Sequence, residues 1–225
     1  MITVTHLRLG PHCPTALTLQ DGPSDRLRSL AAKVLSPPEH DLWHSFGQHK
    51  KQREWLAGRL AAKIALRRQM PRLGPLRTLS LLPREGRSGP VAGPQGWQVS
   101  LAHSGAYALA ACARHPLGVD IETRTTFRPE ILPYFLSTTE RDLLGPLPPD
   151  DPRLPVLWAV KEAVLKTRLA RSLAEISDIF WTGWGHGCRI AVKDARLPCL
   201  TAFGGIWRGT AVAVASAHIR TEARA

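Results

Sequence analysis

The chain alternates short apolar runs with longer segments of helical spacing. Apolar residues recur at three- and four-residue intervals over about 49–70 and 156–170, which predicts two long helices. Strand-like runs cover about 97–102, 106–113, 117–122, 178–184, 188–193 and 209–218. Short helices are expected after Ser36 and Ser137. Each serine is followed three positions on by a glutamate, Glu39 or Glu140, which can reach back to the amide of the capping serine. Proline directly after Ser36 suits a first helical position. GPLPPDDPRLP (145–155) reads as a loop leading into the second long helix, and SGPVAGPQG (88–96) as a loop leading into a strand. The final TEARA reads as a frayed end.

The pattern repeats. LSPPEHDLW (35–43) and LSTTERDLL (136–144) share L-S-x-x-E-x-D-L with their serines 101 residues apart. WLAGRLAAK (55–63) and WAVKEAVLK (158–166) both run from tryptophan to lysine, 103 apart. The small-residue strands AYALAACA (106–113) and TAVAVASA (210–217) are 104 apart. A nearly constant offset suggests internal duplication. The expected fold is therefore α+β: a pseudo-dimer of two similar α+β halves, residues 1–114 and 115–225. Each half is a small antiparallel sheet packed with a long helix, and the active-site cleft lies between them.

Composition narrows the class. At 225 residues and 44% hydrophobic, the chain can build a core without staples. The N-terminal stretch does not resemble a signal peptide, and no apolar run reaches membrane-spanning length. Cys13, Cys112, Cys188 and Cys199 are scattered without a CxxC pair, which reads as reduced thiols and a cytoplasmic protein. The net charge of +12, with basic residues concentrated around 49–87, favours an anionic partner.

The chemistry centres on three short stretches. In GVDIE (118–122), Asp120 and Glu122 sit two apart, so a strand points both to one face and Ile121 into the core. Two such carboxylates repel unless a cation lies between them, and hard oxygen donors favour Mg²⁺ or Mn²⁺. A solvent-facing strand end, its acids paired with Arg124 or Arg128, is the plainer alternative. In WAVKEAVLK, Glu162 and Lys166 share a helix face at i and i+4, which an ordinary surface ion pair also explains. In SLAHSG (100–105), His103 follows a strand and stands beside Ser104, a turn able to grip a phosphate or simply a polar strand end.

In combination and in this order, SLAHS, GVDIE and W-x-x-K-E-x-x-x-K resemble the 4′-phosphopantetheinyl transferases of the surfactin-synthetase-activator type. The resemblance spans roughly residues 35–170. It implies a two-halved α+β monomer that moves the phosphopantetheine arm of coenzyme A onto a serine of an acidic apo carrier protein. By match, Asp120, Glu122 and Glu162 would hold Mg²⁺, with Mn²⁺ possible as the ion. Glu162 would also be the base and Lys166 would stabilise the leaving oxygen. His103 and Ser104 would meet a coenzyme A phosphate, and Arg59, Lys50 and Arg53 suit the nucleotide's 3′-phosphate. The family's basic residue before a proline is absent, since Gly89 precedes Pro90, and Arg87 is the candidate substitute. Ala102 also stands where the family has serine. Neither a membrane nor a nucleic-acid partner is expected. Two other classes share some features, a metal-dependent nuclease and a basic nucleic-acid-binding module. The first lacks its acid-x-lysine strand spacing, and the second lacks a helix-turn-helix or zinc-finger pattern.

Overall fold

The computed structural model describes residues 2–20, 22–83, 91–167, 173–197 and 199–217. In the first half, β1 (Ile2–His6) and β2 (Thr15–Leu19) lead into α1 (Ser24–Val34), α2 (Pro37–His44) and α3 (His49–Gln69). The chain returns through β3 (Val91–Ala92), β4 (Gln98–Ser104) and β5 (Tyr107–Ala113). The second half runs β6 (Leu117–Glu122), α4 (Leu132–Phe135), α5 (Thr138–Leu144) and α6 (Arg153–Thr167). It closes with β7 (Ile179–Trp184), β8 (Arg189–Asp194), β9 (Leu200–Trp207) and β10 (Thr210–Ala217). All the pairings are antiparallel, in the orders β1-β2-β5-β4-β3 and β6-β10-β9-β8-β7. Four strands of each sheet, β2-β5-β4-β3 and β6-β10-β9-β8, thus follow one plan. The fold is α+β with two similar halves.

Strand alternation explains the layering. Leu17, Ala108 and Ala110 pack with Leu56, Leu60 and Leu66 of α3. The opposite face of that sheet, with Ala16, Leu109 and Ala111, meets Val119, Ile121, Val212 and Val214 of the second sheet. The far face of the second sheet, with Ala211, Ala213 and Ala215, packs on Leu157, Val160 and Val164 of α6. The order of layers is helix, sheet, sheet, helix. β6 is an edge strand, and its backbone at Val119 is satisfied by side chains. The buried Ser100 hydroxyl accepts from Val119 N at 3.0 Å, and Lys166 Nζ donates to Val119 O at 3.0 Å.

Both capping boxes form around buried charge pairs. Glu140 accepts from Ser137 N at 2.8 Å and Trp181 N at 2.6 Å, and pairs with Lys161 at 2.7 Å. Glu39 accepts from Ser36 N at 2.8 Å and Leu81 N at 2.9 Å, and pairs with Lys63. Each glutamate therefore ties a short helix, a long helix and a following segment together. Removing one partner of such a pair strands a buried charge, at a cost of about 3–5 kcal/mol. Ser137 Oγ completes its box by accepting from Glu140 N at 3.2 Å, whereas Ser36 Oγ faces the Glu39 amide without a hydrogen bond.

The expected long helices and six strands are present, with three differences. α6 begins at Arg153, inside the stretch read as loop, because proline is tolerated in a first helical turn, where its missing N–H has no partner to lose. The last part of the predicted 156–170 helix, TEARA and Arg87 lie outside the described residues. The loop read at 88–96 contains the two-residue strand β3. Strands β1, β2 and β9 and helices α1 and α4 are additions to the sequence reading.

Helix α6 crosses β6 at Gly118. A Cβ there would meet Ala163 O at 1.9 Å and Lys166 Cβ at 2.9 Å. Backbone cannot yield as a side chain end can, so Gly118→Ala should destabilise the fold by about 3 kcal/mol or more, read from the midpoint of urea unfolding.

Candidate active site

The close approach at Gly118 brings one face of α6 over the polar face of β6. Val119 and Ile121 are buried in the layer between the sheets, so Asp120 and Glu122 turn the other way. Lys166 Nζ lies 2.7 Å from Asp120 Oδ1. Burial nevertheless raises the Asp120 carboxyl above the ordinary range; Lys166 opposes that and Glu122 adds to it. Glu162, one turn before Lys166, is pushed up to about 7, first by burial and then by the charge of Asp120, with Lys166 opposing and Glu122 adding. Glu122 Oε1 accepts from Arg124 N at 2.7 Å and lies 3.4 Å from Ser104 Oγ. The Arg124 contact is through its backbone.

Glu122 raises the proton affinity of both Asp120 and Glu162, and Asp120 raises that of Glu162, so the three carboxylates form a donor set short of positive charge. All their donors are hard oxygens, which suits a small divalent cation. Lys166 supplies part of that charge. Among the described residues no group of three acids, histidines or cysteines is drawn together as a closed metal cluster.

The first half contributes the basic side. His103 Nδ1 lies 3.9 Å from Glu54 Oε2, and Glu54 Oε1 lies 3.9 Å from Lys50 Nζ. Desolvation holds the His103 ring below its ordinary range; Glu54 opposes this, while Lys166 and Arg59 reinforce it. The influence of Lys166 on His103 connects the two halves of the site. Arg59 is 3% exposed, stacked 4.3 Å from the Trp55 ring, and 3.9 Å from Glu39. Its Nε has no hydrogen-bond partner among the described residues, and burial lowers its pKa to about 10. Glu39 thus faces two buried cations, Lys63 and Arg59. Ser104 holds the start of the following loop, with its hydroxyl 2.7 Å from Thr123 Oγ1 and accepting from Thr123 N at 3.1 Å.

Not every expected residue converges on this centre. Lys50 is exposed and reaches it only through Glu54. Arg53 is buried and lines a separate cavity of about 490 Å³ with Arg26, Lys33 and His49, between α1 and the start of α3. Sequence reasoning overlooked Glu54 and Thr123, and read Ser100 only as a neighbour of His103, not as the acceptor of Val119 N. Only Glu54 carries a local signal, its i, i+4 spacing from Lys50.

Residues 116–211 match the model of the 4′-phosphopantetheinyl transferase superfamily. The match takes in Asp120, Glu122, Glu162 and Lys166, whereas His103, Arg59 and Glu54 lie before it. Across a wider stretch the chain is 33% identical over 132 residues to enterobactin synthase component D of Salmonella typhimurium strain LT2. That alignment covers 57% of this chain and 53% of the relative, so the chain matches about half the length of that protein. The region that matches the superfamily model thus holds the three acids and Lys166, and the preceding half holds Arg59 and His103.

The raised pKa of Glu162 has a stability signature. The folded state holds this proton more tightly than the unfolded chain does. The penalty is absent below about pH 4.5, grows as pH rises, and is complete above about pH 7. In metal-free buffer at pH 8, Glu162→Gln should therefore be more stable than the parent by roughly 1–3 kcal/mol in urea unfolding. The difference should vanish near pH 4.

Proposed function

We propose that this chain transfers the 4′-phosphopantetheine arm of coenzyme A to a serine hydroxyl of an apo carrier protein, leaving 3′,5′-ADP. The observation that carries this reading is the facing of Glu162 and Lys166 on α6 against Asp120 and Glu122 on β6, beside His103. The match of residues 116–211 to the superfamily model supports it. The relative's name, a component of enterobactin synthase, makes the carrier domain of a comparable synthase the first to try.

Under this reading, residues 1–114 bind the nucleotide and residues 115–225 supply the metal site and the catalytic helix. Asp120, Glu122 and Glu162 would hold Mg²⁺ or Mn²⁺, which would draw charge from the diphosphate oxygens. Glu162 takes the proton of the carrier serine, directly or through a water. Its pKa is about 7 in the metal-free site, and a bound cation would lower it and keep the carboxylate ionised near neutrality. The serine oxygen bonds to the phosphorus that carries the pantetheine arm, and the bond from that phosphorus to the bridging oxygen breaks. Lys166 stabilises the leaving oxygen and can return a proton to it. His103 and Arg59 receive phosphate oxygens, with Lys50 and Arg53 available to the 3′-phosphate and Arg87 to the nucleotide. The surplus of positive charge steers both coenzyme A and an acidic carrier toward the protein.

Incubation with coenzyme A, Mg²⁺ and an apo carrier should add one phosphopantetheine mass to the carrier, read on the intact protein. Asp120→Ala and Glu162→Gln should lower turnover at least about 10²–10⁴-fold while keeping the fold. Chelation with EDTA should stop the reaction and added Mg²⁺ restore it. Near-normal turnover in both variants would remove the site assignment.

A further inference from the structure

We propose that Cys13 is a site of thiol oxidation and Cys112 its resolving partner, so that a small disulfide such as oxidised glutathione converts the pair into a cross-strand bridge. Strand pairing first places them together. β2 and β5 pair Thr15 with Ala110 and Ala16 with Leu109. The ladder ends at Thr15 and Ala110, and Cys13 and Cys112 each lie two residues beyond them. The bridge requires their α-carbons to come within about 4.4–6.8 Å of each other.

Side-chain direction agrees. Leu17, Ala108 and Ala110 face α3, and Cys112 packs against the same core. Cys13 shares the alternation of Leu17. The two cysteines line one small cavity of about 30 Å³ with Ala65, Arg68 and Gln69 from the last turns of α3. Arg68 Nη1 donates to Cys13 Sγ at 3.3 Å, and the same guanidinium bears on the Cys112 thiol. One arginine thus faces both sulfurs, and the thiolate is the form that attacks a disulfide.

The two thiols differ in access, which orders the steps. Cys13 is exposed, whereas burial pushes the Cys112 thiol up to about 12. The Cys13 thiolate attacks oxidised glutathione, forming a mixed disulfide and releasing one glutathione. The Cys112 thiolate, after losing its proton, attacks the Cys13 sulfur and releases the second glutathione. Two protein thiols and one glutathione disulfide become one protein disulfide and two glutathiones.

The bridge would fix more than two strands. Residues 7–13 form a strap that crosses to the second half. Leu9 is buried between the sheets, Gly10 at φ +59 abuts the Phe203 ring, and His12 Nε2 lies 3.1 Å from Ser216 Oγ. Oxidation would tether this strap to β5.

Treatment of the full chain with oxidised glutathione, followed by alkylation and intact mass, should show a loss of two hydrogens. Unreduced peptide mapping should find a 13–112 linkage. Cys13→Ser should abolish the linkage, and Cys112→Ser should stop at a stable glutathione adduct on Cys13. The bridged protein should melt higher than the reduced one by on the order of 5 °C, with no such shift in Cys13→Ser. Parent protein that accumulates only the Cys13 adduct, or that links Cys188 or Cys199 instead, would overturn the proposal.

Discussion

The contact of α6 with β6 at Gly118 governs the geometry of the rest. With no side chain at that position, the helix comes close enough for Lys166 to reach both Val119 O and Asp120. The same closeness explains why Glu162, one turn away, is buried among acids. A helix held even a side chain's width further out would leave Asp120 buried without its cation. Packing here fixes the electrostatics, since burial is the largest influence on both Asp120 and Glu162.

The two halves share a plan but divide the charge. Each has a capping-box glutamate paired with a buried lysine. By letter, Lys63 aligns with Lys166, yet the lysine that does the work of Lys63 is Lys161, five residues earlier. This releases Lys166 for Asp120. In the first half Arg59 joins Lys63 around a single glutamate, which leaves positive charge near His103. The second half gathers acids instead. A polyanion such as a diphosphate, bound with a divalent cation, has complementary surfaces on the two sides.

Elements with strong periodicity or uniform small residues were legible in the chain: α3, α6, β5, β6 and β10. Helix α1, SDRLRSLAAKV, hides its buried Leu27, Ala31 and Val34 among charges. The β9 strand LTAFGGIW contains two glycines, which argue against a strand until a partner face is known. Among the site residues, Asp120 and Glu122 were readable because strand alternation fixes their shared face, and Glu162 and Lys166 because a helical turn does. Glu54, Ser100 and Thr123 matter through partners 49, 19 and 19 residues distant along the chain, at His103, Val119 and Ser104. Arg53 shows the converse. Its basic neighbours pointed to an anion, but the helix turns it toward a cavity away from Asp120.

Ser100 belongs to the first sheet, yet its hydroxyl takes the place of a neighbouring strand for the Val119 amide. The ribbon that bears Asp120 is thereby aligned by material from outside the 116–211 match. An excised second half would still encode its carboxylates but would expose the seam beneath them and leave that amide without its buried acceptor. The smallest fragment able to keep these acids in place is therefore longer than the stretch that identifies them.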